Sequence, residues 1–140
     1  MKNLIYICFI FICFNSYAQS VFGKWKTIDD KTGEAKSIVE IFENSGKVHG
    51  KVIEIMDASK SNRKCNKCTG TDKDKPVLGL VIIKGLSKDG DEYNGGKIVD
   101  PESGKIYKSF IKLIGKDKLE VRGYVGFALI GRSQTWIRVK

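Results

Sequence analysis

The chain has 140 residues, a formal net charge of +9 and four cysteines. That length supports one domain around a single core. The basic balance comes without a dense lysine run or an aromatic-plus-basic motif, which argues against a nucleic-acid module; anionic envelope polymers or lipid head groups are the partners such a charge favours in an exported protein.

The first eighteen residues read as a signal peptide. Lys2 gives a short positive start, residues 4–14 are an unbroken apolar run, and Ser16-Tyr17-Ala18 places small residues where a signal peptidase reads. Eleven apolar residues are too few for a bilayer span, which needs about 20, so cleavage before Gln19 is expected. The mature protein is then residues 19–140, a single β-barrel domain, exported to the periplasm or secreted, with no transmembrane span. Neither Cys8 nor Cys13 follows the small residue that lipid attachment requires, and both leave with the leader.

Residues 21–28 form the first expected strand, and Asp29-Asp30-Lys31-Thr32-Gly33 the first turn. Residues 35–43 alternate, with Val39 and Ile41 on one face and Ile38 and Phe42 on the other. After Asn44-Ser45-Gly46, residues 47–55 alternate again, setting Val48, Gly50 and Val52 against His49, Lys51 and Ile53. Residues 56–76 break the rhythm: they are polar, lysine-rich and carry Cys65 and Cys68. A patternless stretch of that length is functional or mobile. Residues 77–86 return as an apolar turn and strand, followed by an Asp89-Gly90 hairpin signal.

Residues 93–107 read as strand, tight turn, strand. Asp100-Pro101 opens the turn and Gly104 supplies a position free to take positive φ. Gly95-Gly96 marks a bulge or a close backbone approach. A further turn over 115–118 leads into 119–125, where Leu119, Val121, Gly123 and Val125 share a face; residues 126–129 are a short loop and 130–139 the last strand. About eight strands, short connections and no amphipathic helix predict an all-β fold: a single antiparallel up-and-down barrel.

Gly23-Lys24-Trp25, residues 37–42, the Cys65/Cys68 pair, Pro76-Val77-Leu78-Gly79-Leu80, residues 93–101, Val121-Arg122-Gly123-Tyr124 and Gly131-Arg132-Ser133-Gln134-Thr135-Trp136 together resemble the motifs of an exported bacterial family catalogued as domain of unknown function 2147. The resemblance covers essentially the whole mature chain. Tyr93 stands where that family carries an aromatic, often tryptophan. The family looks similar to the lipocalin and fatty-acid-binding barrels, which implies a lipocalin-like barrel and brings no established activity. Gly23-Lys24-Trp25 is similar to the Gly-x-Trp that opens lipocalin chains, where the tryptophan plugs the closed end and a late-strand arginine lies across its ring. The resemblance gives Gly23, Trp25 and Arg138 that barrel-closing role.

Cys65-Asn66-Lys67-Cys68 has three readings: a structural disulfide, a redox pair and half of a zinc site. The polar flanks lack the helix N-terminus that activates a redox thiol, and zinc needs four ligands where His49 is the only histidine. A structural disulfide is favoured. His49 reads as a strand-face residue, and no nucleophile motif accompanies it. No catalytic residue, metal or cofactor is therefore expected.

In the last strand Arg132, Gln134, Trp136 and Arg138 share one face by the period of two. Turned outward, that face is a solvated ladder with an exposed tryptophan, which suggests a partner surface; turned inward, each arginine needs a partner. Arg132 then lies toward the open mouth, where fatty-acid-binding barrels use a late-strand arginine for a ligand carboxylate. The expected function is the binding or carriage of a small apolar or amphipathic ligand in the envelope, with Arg132, Gln134, Tyr93, Tyr107, Tyr124 and Trp136 as contacts. The alternative is a non-enzymatic envelope interaction or structural protein with a filled barrel, whose basic surface meets an anionic partner.

Overall fold

The structure, a computed structural model, describes residue 10, residues 20–126 and residues 130–140. The leader segment 1–18 thus lies outside the described residues except for residue 10, as does most of the expected 126–129 loop. The strands are β1 (Gly23–Ile28), β2 (Ala35–Asn44), β3 (Lys47–Ile55), β4 (Val81–Asp89), β5 (Glu92–Val99), β6 (Ile106–Ile114), β7 (Lys118–Val125) and β8 (Ile130–Arg138). Each pairs antiparallel with its neighbours in chain order, and β8 closes on β1 through Trp25↔Arg138 and Lys26↔Ile137. The expected eight-stranded up-and-down barrel is the observed fold.

Alternation decides which side chains enter the barrel. Trp25, Val39, Ile41, Val48, Val52, Ile83, Leu86, Ile111, Leu119, Val121 and Trp136 are buried in one contiguous core. The outward positions are rich in lysine, among them Lys24, Lys26, Lys36, Lys97, Lys108 and Lys112. Burying these apolar side chains at roughly 1.5–3 kcal/mol each is what opposes the entropy of ordering the chain.

Three inward glycines mark how tightly the interior is filled. A Cβ at Gly50 would lie 3.0 Å from Ile41 Cδ1 and 3.2 Å from Ile83 Cβ. One at Gly96 would collide with the Lys84 carbonyl and with Leu86 Cδ2. One at Gly123 would press on Ile98 Cγ2 and Tyr107 Cβ, each at 3.3 Å. Gly95-Gly96 is both a register irregularity and a close approach, as its glycine pair implied.

The 56–80 segment is more structured than its lack of pattern implied. Val77 N–H donates to Arg63 O and Cys65 N–H to Lys75 O, with a Lys64↔Pro76 bridge between them. The Cys65–Cys68 disulfide closes its tip. Two short 3-10 turns, Ala58–Lys60 and Gly70–Asp72, complete it. Its sequence does not alternate because between Arg63 and Val77 its backbone bonds mainly within itself, and it joins the barrel only at its ends, where Met56 N–H donates to Lys36 O and Gly79 N–H to Val52 O. Strand β4 accordingly begins at Val81; Val77 and Leu80 are buried residues of the segment.

Candidate functional site

The inward face of β8 carries the predicted polar line, and its members separate by depth. Trp136 is 2% exposed, deep in the core beside Leu119. Its indole N–H donates to Gln134 Oε1 at 3.2 Å, and Gln134 Nε2 reaches Asp30 Oδ2 at 3.4 Å. Arg132 Nη2 lies 3.0 Å from the same Asp30 oxygen, with its side chain 72% exposed. An indole, an amide, a carboxylate and a guanidinium thus run from the core to the open mouth, each satisfied by the next. Sequence reasoning placed Asp30 only in the first turn and missed its part in this line.

Arg138 holds the opposite end. Its guanidinium sits 4.3 Å from the centre of the Trp25 ring. Nη1 donates to Phe22 O at 3.1 Å, Nε to Lys116 O at 3.2 Å, and Nη2 to Ser20 O. The Trp25 indole N–H donates to Val21 O at 2.9 Å. Gly23, at φ 121°, leaves only 3.3 Å between a would-be Cβ and Arg138 Nη1. All three barrel-closing residues meet at one end.

Of the four aromatics expected as ligand contacts, Tyr93, Tyr107 and Trp136 turn to the interior and Tyr124 does not. Tyr107 packs over Gly123 in the open half. Tyr93 is at the other end, edge-on to Phe22 with ring centres 6.4 Å apart. Tyr124 does not line the lumen: it alternates out of it and packs against Phe110 on the outer surface. Aromatic residues clustered in sequence here divide between the two ends of the interior and the outer surface.

The open end is braced by Glu102, in the β5–β6 turn. It pairs with Lys36 at 3.0 Å and Arg63 at 3.6 Å, tying that turn to β2 and to the 56–80 segment. The Lys36 ammonium, bonded to it and attracting it, holds the Glu102 carboxyl below its ordinary range. Asp100 forms the turn as expected, accepting from Glu102 N–H and Ser103 Oγ–H. Cys65 and Cys68 are buried, with the Lys67 backbone packed against Gly104.

Two surface depressions flank Phe42. One, of about 460 Å³, lies between the outer face of β2–β4 and the 56–80 segment. The other, of about 410 Å³, is lined by Phe22, Gly23, Glu40, Ile41, Phe42 and Glu43.

A family model described as "Uncharacterized protein conserved in bacteria (DUF2147)" matches residues 23–138. Among curated proteins there is no match. Among solved structures, the chain is similar to protein HP1028 from the human pathogen Helicobacter pylori, described as belonging to the lipocalin family. The TM-score is 0.76 at 25% sequence identity, covering 88% of this chain and 85% of that one.

Proposed function

We propose that this chain, which belongs to the DUF2147 family of bacterial proteins, is a non-enzymatic binding protein exported to the cell envelope. Its barrel is a filled scaffold, and its partners are met on the outer surface and at the open end. The observation that carries this reading is the close packing at the inward Gly50 and Gly123, where an added Cβ would press on Ile41, Ile83, Ile98 and Tyr107 at 3.0–3.3 Å. A barrel that stores an apolar guest needs a cavity of roughly 300 Å³ or more. The lysine-rich outer face supports an anionic partner. The buried sulfurs of Cys65 and Cys68 argue against thiol–disulfide exchange, which requires access to the attacked sulfur. Export rests on the leader-like residues 1–18.

A second reading, carriage of a small apolar or amphipathic ligand, draws support from two observations. Arg132 stands exposed at the mouth, and the chain is similar to a protein of the lipocalin family. Native mass spectrometry of protein taken from its own envelope fraction separates the two. The mass of residues 19–140 alone, with the disulfide intact, is the expected result. A stoichiometric apolar molecule released on denaturation would overturn the filled-scaffold reading in favour of carriage.

A further inference from the structure

The larger depression combines an apolar wall with an excess of positive charge. Phe42, Val81 and Leu78 line it, and Leu78 is 44% exposed, an aliphatic side chain left uncovered on a folded surface. Asp72, 8% exposed, is its one buried carboxylate. Lys84 Nζ contacts Asp72 directly, and Lys75 Nζ lies 3.8 Å from it. Two ammonium groups share one carboxylate, so the lining keeps a net positive charge. Lys51, outside the lining, lies 5.8 Å above the Phe42 ring. His49 is stacked on that ring and accepts from Gly85 N–H through Nδ1 at 3.3 Å, which puts the proton of the neutral imidazole on Nε2 and makes that atom a donor. The polar groups beyond Asp72 are thus mainly donors, set beside a hydrophobic wall. A volume of about 460 Å³ lies within the roughly 300–1,000 Å³ of small-molecule sites.

From this we infer a binding site for a small organic carboxylate with an apolar body. The anion takes the free capacity of Lys75 and Lys84, and the body lies against Leu78, Val81 and Phe42. The inference rests on the filled-scaffold reading, since it places recognition outside the barrel. The disulfide-tipped 56–80 segment then supplies one wall of the site, and the barrel's outer face supplies the other.

The test is a backbone-amide chemical-shift titration of the mature protein, disulfide intact, with 3-phenylpropionate, and with 3-phenylpropan-1-ol as the uncharged counterpart. Saturable shifts at His49, Gly79, Val81 and Lys84 are expected, with the alcohol binding at least tenfold more weakly. Leu78→Asp, at an exposed position, and Lys75→Gln should each weaken carboxylate binding at least fivefold without changing the rest of the spectrum. Equal binding of the alcohol, insensitivity to both variants, or no saturable shift would each overturn the site while leaving the scaffold reading intact. Saturable shifts at the Trp25 and Trp136 indole N–H groups would instead overturn the filled scaffold, and this site with it.

Discussion

The Arg138 guanidinium lies 4.3 Å from the centre of the Trp25 ring, and the two residues are directly paired across the β1–β8 seam that closes the barrel. The same guanidinium donates to three backbone carbonyls, of Phe22, Lys116 and Ser20. Removing it forfeits a cation–π contact worth about 0.5–2 kcal/mol and strands carbonyls near the seam. Arg138→Ala should therefore cost about 2–4 kcal/mol, read as a lower urea midpoint with an unchanged slope. Arg138→Lys should recover less than half of that, because an ammonium cannot both stack on the indole and span three carbonyls.

Ser109 is fully buried, facing the lumen between Gly96 and Gly123, and its hydroxyl has no hydrogen-bond partner. An unsatisfied buried hydroxyl costs about 1–3 kcal/mol. Ser109→Ala should be neutral or stabilising by about 1 kcal/mol, measured by thermal or urea unfolding. A clear loss of stability would mean that a water or a guest molecule occupies the lumen beside it.

What the sequence carried plainly was anything governed by the period of two. Alternation grouped Arg132, Gln134, Trp136 and Arg138 on one face of β8, and closure of the last strand on the first brought Arg138 to Trp25 with Arg132 toward the other mouth; alternation alone did not say that this face turns inward. The same alternation set Tyr124 opposite Val121 and Gly123, so its outward position was legible where the aromatic count of that region misled. The 56–80 segment was not legible, because Arg63, Cys65, Lys75 and Val77 are joined by backbone bonds that no side-chain pattern announces. The depression beside it was hidden for the same reason. Phe42, His49 and Val81 are ordinary outward strand residues until that segment folds alongside them.

Gly104 takes φ 71° and sits so close to the Lys67 backbone that a Cβ would overlap its carbonyl. Gly104→Ala should displace the disulfide-tipped segment while the barrel persists. The expected signature is rapid proteolysis within residues 56–80 with an unchanged near-ultraviolet spectrum from Trp25 and Trp136. Proteolysis as slow as in the unaltered chain would show that the turn and the segment do not depend on this contact.

The Cys65–Cys68 disulfide closes a loop of sequence separation 3, so its effect on the entropy of the unfolded chain is small. Replacing both cysteines by serine should cost no more than about 2 kcal/mol. The barrel should still fold, and the change should appear as faster amide exchange at positions 65, 68 and 74, whose backbone N–H groups bond within the segment. A chain that fails to fold without the pair would make the disulfide a requirement of the barrel itself.

Acid should loosen the open end before it unfolds the barrel. The Glu102 carboxyl is held below its ordinary value of 4.5, first by its hydrogen bond from Lys36 and then by the charges of Lys36 and Arg63. A carboxyl whose folded pKa is depressed releases its proton more readily folded than unfolded. Its contribution is therefore present above the unfolded value and is lost as pH falls through the lower, folded one. Because Glu102, Lys36 and Arg63 are all about half exposed, solvent screens the pair and the effect on global stability is small. The local effect is larger, since Glu102 is where the β5–β6 turn, β2 and the 56–80 segment meet. Amide exchange in residues 56–80, compared at neutral pH and below about pH 4, should accelerate on acidification while β1 and β8 stay protected. Glu102→Gln should show the acid pattern already at neutral pH, and high salt should move the unaltered protein in the same direction. If the variant and the unaltered chain exchange alike at both pH values, Glu102 does not hold the mouth together.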